Sequence, residues 1–337
     1  MTELLGLLIV SFVITAVFLV PFINFLYFLK RKYKRPIPKG YDDSTTPIHN
    51  QLLHGKEKET PVGGGILLIL ILSLLSIGYS YFYSKSLQND LIILLFSVIS
   101  FGVIGLFDDI NHIITALSGK YHGLRSRYIL GLQLIFAVLI ASALYFVLGL
   151  NNLYVPHFGN FVVGAFYIPL AAFLVVAFSN AYNISDGLDG LSTGLLVICL
   201  LAFLGLASAN LNLTLARFIG IWIGALFAFL YFNVYPARIY LGDAGALAFG
   251  ATFAVVGLLS GKILALAIIG GVYVLIVSSS FLQMFWKRVF KKKLMPVAPL
   301  HILLLHIGWA EPKVVIRLWL VQALFAIFGL WLALFSR

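Results

Sequence analysis

Residues Asn180 to Gly194 read NAYNISDGLDGLSTG, a polar stretch set between two long apolar runs. It carries Asp186 and Asp189, together with glycines that interrupt a regular helix. In a membrane, irregular backbone and carboxylates persist only where they are buried in protein or line a wet cavity. The stretch therefore predicts a functional site within a membrane protein.

The composition indicates the same class of protein. Hydrophobic residues make up 61% of the chain, charged residues only 10%, and the mean hydropathy is +1.04. These values lie far outside the range of soluble domains. The single cysteine, Cys199, excludes an intrachain disulfide. We predict an all-α, polytopic integral membrane protein that forms one transmembrane domain over residues 1–337.

A window of about 20 apolar residues per crossing predicts about ten transmembrane helices. The first apolar run, Leu4 to Leu29, is too long for a signal-peptide core and is read as a retained span. The predicted spans lie near residues 4–29, 61–83, 91–107, 128–149, 160–179, 191–208, 214–232, 244–260, 263–286 and 314–335.

The positive charges predict the orientation. If the basic cluster from Lys30 to Lys39 stays in the cytoplasm, the N-terminus lies outside. Alternating sides from there places all but four of the 23 Lys and Arg residues inside, the exceptions being Lys85, Arg217, Lys262 and Arg337. Orientation and contact with membrane lipids explain the formal charge of +11, so no nucleic-acid partner is expected.

Five aspartates fall on this predicted inner side. Asp108 and Asp109 end the third span in GLFDDI, and adjacent carboxylates stay ionised together only beside a cation or solvent. Asp243 lies between glycines in LGDAG, where its carboxylate is unobstructed, and Asn233 precedes it in the same stretch. A solvated acidic helix end is the alternative for any one of them.

The opening stretch is more specific, because four polar residues recur at every third position. They are Asn180, Asn183, Asp186 and Asp189. A continuous helix would rotate successive members by about 60°, so we predict a turn followed by a helix start at Asn183 or Ser185. Such a helix start would offer free N–H groups to an anion.

A second anion-binding element is predicted before the second span, in KEKETPVGGG from Lys56 to Gly65. Lys56 and Lys58 supply charge, and the three glycines would let backbone N–H groups approach a phosphate. Close helix packing is the alternative explanation for the glycines.

The aspartates have oxygen and amide companions and no cluster of His or Cys, which favours a hard cation such as Mg²⁺ over zinc. A divalent cation facing basic loops indicates phosphate chemistry. A secondary transporter is the alternative from another class, but it would place its carboxylates near the bilayer midplane in two related halves.

The motifs, taken together and in order, resemble the polyprenyl-phosphate N-acetylhexosamine-1-phosphate transferases. The resemblance covers nearly the whole chain and rests on TPVGGG, GLFDDI, NAYNISDGLDGLSTG, FNVYPARIYLGDAGALAFG, Gln283, APLH and GWAEPKVVIRLW. The last motif, which begins at Gly308, is similar to that of the family's peptidoglycan branch.

The resemblance implies a bacterial inner-membrane (plasma-membrane) enzyme with its active site on the cytoplasmic face. It would use Mg²⁺ to transfer phospho-MurNAc-pentapeptide from UDP-MurNAc-pentapeptide to undecaprenyl phosphate, giving lipid I and UMP. The oligomeric state is not predicted, and a homodimer stays one alternative. On matching positions, Asp243 would hold the metal and act in catalysis with Asp108 and Asp109. The implied substrate-binding residues are Lys56, Lys58, Asn180, Asn183, Asp186, Asp189, Asn233, Gln283 and His301.

Two positions depart from the family pattern. The family usually has three consecutive histidines after the Ala-Pro-hydrophobic sequence, whereas here Ile302 and Leu303 follow His301. The lysine expected shortly after the aspartate pair is absent, and His112 stands near its place. Two alternatives therefore stay open, a sister transferase that uses UDP-GlcNAc or another UDP-HexNAc, and a non-catalytic lipid-binding relative.

Overall fold

A computed structural model of the chain describes residues 2–32, 60–84, 87–118, 126–156 and 158–335. The α-helices within these ranges are α1 Thr2–Lys32, α2 Gly64–Ser84, α3 Asn89–Ser118, α4 Ser126–Phe146, α5 Tyr167–Ser185, α6 Leu191–Ala209, α7 Leu213–Asn233, α8 Asp243–Leu259, α9 Ile263–Ile269, α10 Gly271–Phe290, α11 Leu300–His306 and α12 Glu311–Phe335. A hairpin of β1 Asn152–Val155 and β2 Gly159–Val162 precedes a 3-10 turn at Gly164–Phe166.

The helices confirm the all-α polytopic architecture. In the described part of the chain, eight helices are long and apolar enough to cross a membrane. The pair α9 and α10 would form one more crossing, bent by 78° at Gly270, and α8 is a shorter apolar helix. These ten apolar segments correspond in order to the ten predicted spans.

Two of the predicted spans differ in detail. The span predicted at 160–179 begins too early, because β2 Gly159–Val162 pairs with β1 as an antiparallel strand, with Asn152 opposite Val162 and Val155 opposite Gly159. Aromatic and β-branched residues in this stretch suit a strand as well as an apolar span. The span predicted at 263–286 is broken, because the chain turns sharply at Gly270.

The centre of the bundle is α8, in which every residue from Ala244 to Leu258 is buried. It packs between α3 and α5, and α2 crosses it near its N-terminus. The close approach depends on glycine, since a Cβ on Gly65 would overlap backbone atoms of Gly245. This packing holds the first residue of α8, Asp243, against the ends of the surrounding helices.

One end of the bundle, which we call the site end, collects the ends of α3, α5 and α7 and the beginnings of α2, α6, α8 and α12. The opposite end is closed by an ion pair between Arg217 and Glu3, with 2.9 Å between Nε and Oε1. The predicted alternation of segments thus agrees with the fold, while the direction of the bundle in the membrane stays a prediction from charge.

Candidate active site

The α5–α6 turn forms the first wall of the site. Helix α5 ends at Ser185, residues 186–190 form a turn, and α6 begins at Leu191. Gly190 has φ of +76°, a left-handed conformation that favours glycine. The helix start predicted at Asn183 or Ser185 is wrong, because Asn183 lies in the last turn of α5 and the new helix begins only after the glycine.

The N-terminus of α8 faces this turn. Asp243 is its first residue, and Oδ1 of Asp243 accepts a hydrogen bond from the side-chain amide of Asn183 at 2.9 Å. The backbone N–H of Ala244 donates to Oδ2 of Asp109, at 3.1 Å. Since the first N–H groups of a helix lack partners within the helix, Asp109 caps α8 from the neighbouring α3.

Asp108 precedes Asp109 on α3, and the two side chains differ in exposure. Asp109 is buried, whereas Asp108 is only partly buried. Successive helical residues project about 100° apart, so the pair presents one carboxylate to α8 and the other in a different direction. The predicted pair therefore divides into a structural cap and a more accessible carboxylate.

Asp186 lies within electrostatic range of two other carboxylates. Burial raises the pKa of Asp186 from 3.8 to about 6, although a hydrogen bond from the Ser192 hydroxyl lowers it. The negative charges of Asp243 and Asp189 raise the pKa further. Three of the predicted acidic residues thus converge at the site end, as the sequence pattern led us to expect.

Asp189 binds protein groups with its carboxylate and its backbone. Oδ2 accepts a hydrogen bond from the Ala237 N–H at 2.9 Å, and Oδ1 accepts one from the Tyr240 hydroxyl at 3.0 Å. The N–H of Asp189 donates to Oε1 of Glu311 at 2.9 Å. Asp189 therefore joins the α5–α6 turn to the segment before α8 and to the beginning of α12.

Tyr240 serves this network as a hydrogen-bond donor. Burial raises its pKa above the ordinary value of 10.0, and the carboxylates of Asp189 and Glu311 raise it further. The phenol therefore stays protonated at neutral pH and can donate to Asp189. Its backbone also takes part, because the Tyr240 N–H donates to the carbonyl of Pro61 at 2.9 Å.

Two asparagines that we predict to bind substrate make hydrogen bonds to other protein groups at the site end. Asn233 is buried, donates from Nδ2 to the carbonyl of Ile239 at 2.9 Å and accepts from the Thr193 hydroxyl at 3.2 Å. Asn180 donates from Nδ2 to Oε1 of Gln133 at 2.8 Å, which links α5 to α4. Substrate contacts by these two residues stay predictions.

The glycines of TPVGGG do not offer their N–H groups to an anion. Those of Gly63 and Gly64 donate to the carbonyl of Tyr240, at 3.2 and 3.0 Å, and that of Gly65 donates to the carbonyl of Leu241 at 2.8 Å. The phosphate-binding interpretation of these glycines is therefore wrong, and the close-packing alternative is correct. Lys56 and Lys58 lie outside the described residues.

His301 closes the site from α11. The side chain is buried, and a Cβ on Gly187 would lie 2.9 Å from its Nε2, so the ring lies directly against the α5–α6 turn. The next residue, Ile302, is buried among apolar side chains. The side chain of His112 lies outside the described residues.

Gln283 lies on α10 and binds the loop that follows this helix. Oε1 accepts hydrogen bonds from the N–H groups of Leu294 and Met295, at 3.1 and 2.9 Å. Nε2 donates to the carbonyl of Met295 at 2.8 Å. The side-chain amide therefore acts on the loop, and a role in substrate binding stays a prediction.

The described side chains at the site end do not by themselves complete the coordination of a metal ion. Among the described residues, no three His, Cys, Asp or Glu side chains come close enough together to hold a metal ion. Mg²⁺ is commonly bound by one or two carboxylates together with substrate phosphates and water. The carboxylate of Asp243 fits that arrangement, in which the substrate would supply further oxygen ligands.

Sequence reasoning missed three members of the site. Ser192 donates to the Asp186 carboxylate, Tyr240 donates to Asp189, and Glu311 accepts from the Asp189 backbone. Glu311 offered a signal, because it is the acid of GWAEPK at the beginning of a long apolar run. Its partner lies 122 positions away in the sequence, so the contact itself left no local pattern.

The described helices form a polytopic bundle of the membrane-protein class, with carboxylates gathered at one end. The family model of glycosyl transferase family 4 matches residues 91–261, half of the chain. The chain belongs to glycosyl transferase family 4.

Three relatives named phospho-N-acetylmuramoyl-pentapeptide-transferase illustrate the similarity. The one from Halalkalibacterium halodurans is 34% identical over 338 residues, covering 98% of this chain and 97% of the relative. The one from Pelagibacter ubique is 34% identical, with 92% and 87% covered. The one from Borreliella afzelii is 32% identical, with 80% of each covered.

Proposed function

We propose that this chain transfers phospho-MurNAc-pentapeptide from UDP-MurNAc-pentapeptide to undecaprenyl phosphate, giving lipid I and UMP. The observation that carries the proposal is the convergence of Asp186, Asp189 and Asp243 at one end of a multi-pass bundle. The chain also matches a relative with that transferase name over 97% of the relative's length. The chain is then a phosphoglycosyl transferase of peptidoglycan synthesis.

The reaction needs alignment and charge neutralisation more than proton removal. A phosphate monoester has a second pKa of about 6, so the lipid phosphate is mostly dianionic at neutral pH. Asp243, held by Asn183, is the residue that would hold Mg²⁺, which when bound would supply positive charge to the donor diphosphate. The N-terminus of α8 adds a positive dipole end at the same place.

The two adjacent aspartates receive different roles. Asp109 is buried and caps α8, so it positions the helix that carries Asp243. Asp108 is the more accessible of the pair, and we assign it to orienting the lipid phosphate or taking a residual proton. We propose direct attack of the lipid phosphate on the sugar-linked phosphorus, in which its oxygen forms the new bond as the bond to UMP breaks.

The site would face the cytoplasm, where a nucleotide-activated donor is present. This orientation, with the N-terminus outside, rests on the distribution of Lys and Arg. The proposed location in the bacterial inner (plasma) membrane rests on the similarity to the named transferases. It also gives the lipid acceptor access from the inner leaflet.

A sister activity with UDP-GlcNAc is favoured by one observation. Only His301 remains of the three consecutive histidines of the resembling family, and Ile302 in the next position is buried in the apolar core. Position 302 therefore contributes no polar group to the site, and the donor contacts of this chain differ from the family pattern.

The deciding experiment compares the two donors. The purified full chain is incubated with undecaprenyl phosphate, Mg²⁺ and either labelled UDP-MurNAc-pentapeptide or labelled UDP-GlcNAc, and UMP release is measured. We expect release from the first donor and only when the acceptor is present. Faster turnover of UDP-GlcNAc would support the sister activity, and no release from either donor would indicate a non-catalytic relative.

The mechanism has a separate test. If UMP exchanges into the donor without acceptor, or if a phosphosugar is trapped on Asp108 or Asp109, the reaction proceeds through a covalent aspartyl intermediate. We expect neither result, because direct transfer requires both substrates to be bound together.

A further inference from the structure

The second half of α10 leaves the core of the bundle. The buried residues of this helix are confined to its first two turns and end at Ile276. Large apolar side chains are exposed from there on, among them Phe281, Phe285 and Val289, which are 60%, 61% and 52% exposed. The helix is part of the bent pair with the composition of a membrane crossing, and exposed apolar surface of this kind is typical of a membrane or partner contact.

Five exposed cations stand at the far end of this helix, and we call them the basic tip. They are Lys287, Arg288, Lys291, Lys292 and Lys293. The sequence contains no Asp or Glu between Asp243 and Glu311, so positive charge dominates this part of the chain. Apolar surface beside concentrated positive charge is typical of helices that lie at an anionic membrane surface.

The basic tip is held in a defined conformation. Lys291 ends the helix with φ of +57°, a left-handed conformation that turns the chain back along α10. Gln283 binds the returning chain through both N–H groups and the carbonyl described above, and Ser279 Oγ accepts from the Leu300 N–H at 2.9 Å. The hydrogen bonds of Gln283 and Ser279 therefore attach the returning segment to the exposed half of α10, and we call them the two clamps. If the lysines served only to orient the protein in the membrane, this attachment would not be required.

We propose that the basic tip is a docking site for the head groups of anionic phospholipids. The exposed apolar side chains of α10 would enter the acyl region, and the five cations would contact the lipid phosphates above it. Gln283 is then a positioning residue for this surface. The proposal does not depend on the transferase activity, since it rests on exposure, charge and the two clamps.

The test labels the protein at one introduced cysteine. The single native cysteine, Cys199, is buried and is first replaced by Ser. Val289→Cys then introduces one labelling position beside the basic tip. The full chain, labelled with a fluorophore, is placed in nanodiscs containing phosphatidylglycerol or phosphatidylcholine, each with brominated acyl chains. Leu74→Cys is the matched control, because Leu74 is 67% exposed on α2, outside the basic tip.

At position 289 we expect quenching by brominated phosphatidylglycerol to exceed that by phosphatidylcholine roughly twofold. The preference should fall at high salt, fall when Lys291, Lys292 and Lys293 are changed to Gln, and persist when they are changed to Arg. At position 74 the two lipids should quench equally. Gln283→Ala should weaken the preference at 289, because the loop loses its clamp.

Three results would overturn the proposal. Equal quenching at position 289 would mean that the lysines only orient the protein. Quenching by neither lipid would mean that the segment faces water or protein. Loss of the preference on adding inorganic phosphate, with ionic strength matched by chloride, would indicate a site for free phosphate rather than for lipid.

Discussion

The side-chain amide of Asn183 donates a hydrogen bond to Oδ1 of Asp243 across 2.9 Å, joining the last turn of α5 to the first residue of α8. The two residues are 60 positions apart in the sequence. The bond fixes the carboxylate that we assign to Mg²⁺, so the metal requirement of the enzyme should depend on a residue that holds no metal itself.

Replacing Asn183 tests this dependence. Asn183→Ala removes the donor, and we expect UMP release to fall by about 10- to 100-fold, as is typical when the partner of a metal ligand is lost. The Mg²⁺ concentration for half-maximal rate should rise, which a magnesium titration measures. An unchanged titration curve in a folded variant would contradict the assigned role.

Asp186 predicts a pH-dependent stability. Its pKa is raised from 3.8 to about 6, mainly by burial, so the folded protein favours the protonated form. The resulting stabilisation is complete below about pH 4 and is lost as the pH rises through about 6. In Asp186→Asn this group no longer ionises, so the melting temperature of the variant minus that of the wild type should increase between pH 4 and 6.

Ser192→Ala provides a matched variant for the same measurement. The Ser192 hydroxyl lowers the pKa of Asp186, so its removal should move the upper end of the stability change above pH 6. If the melting-temperature difference is flat from pH 4 to 8 in both comparisons, the carboxyl does not titrate in the expected range.

Glu311 should act through the α5–α6 turn. Glu311→Ala leaves the backbone N–H of Asp189 without this acceptor, and an unsatisfied buried group costs about 1–3 kcal/mol. We expect at least about a tenfold loss of kcat/KM from misplacement of the turn, measured by UMP release. Glu311→Gln retains a carbonyl acceptor and should keep most of the rate, and equal losses in the two variants would mean that the charge matters instead.

Gly65 predicts a stability effect at the crossing of α2 and α8. A methyl group there would meet the backbone of Gly245, which cannot move aside as a flexible side chain can. Gly65→Ala should destabilise the protein by about 1–3 kcal/mol, measured as a lower melting temperature. Gly78→Ala in the same helix meets nothing within 4 Å and should cause no loss. Equal melting temperatures would argue against the close crossing.

The sequence was sufficient to predict the apolar segments and the convergence of the acidic motifs. Apolar runs of about 20 residues identify membrane helices because the bilayer requires that length. The same criterion failed at residues 160–162, where apolar strand residues read as the beginning of a span, and at Gly270, where the chain bends by 78°.

The sequence alone did not show which polar residues of the motifs make hydrogen bonds within the protein. Asp189 and Asn233 look like substrate-binding residues in NISDGLDG and YFNVYP, yet both bind other segments of the protein. The partners of Asp189, Ala237 and Tyr240, lie about 50 positions from it in the sequence. Only the fold reveals that these polar groups are already engaged, and the same is true of the glycines at 63–65.

The central claim is that one catalytic site is built at the site end around Asp243, and the most direct test is Mg²⁺-dependent UMP release by two isosteric variants. Asp243→Asn alters the proposed metal ligand, whereas Asp90→Asn alters an aspartate at the opposite end, where Oδ2 accepts from Asn212 at 3.1 Å. We predict that the first variant releases no measurable UMP and that the second keeps a rate close to that of the wild type. Normal release by Asp243→Asn would contradict the account.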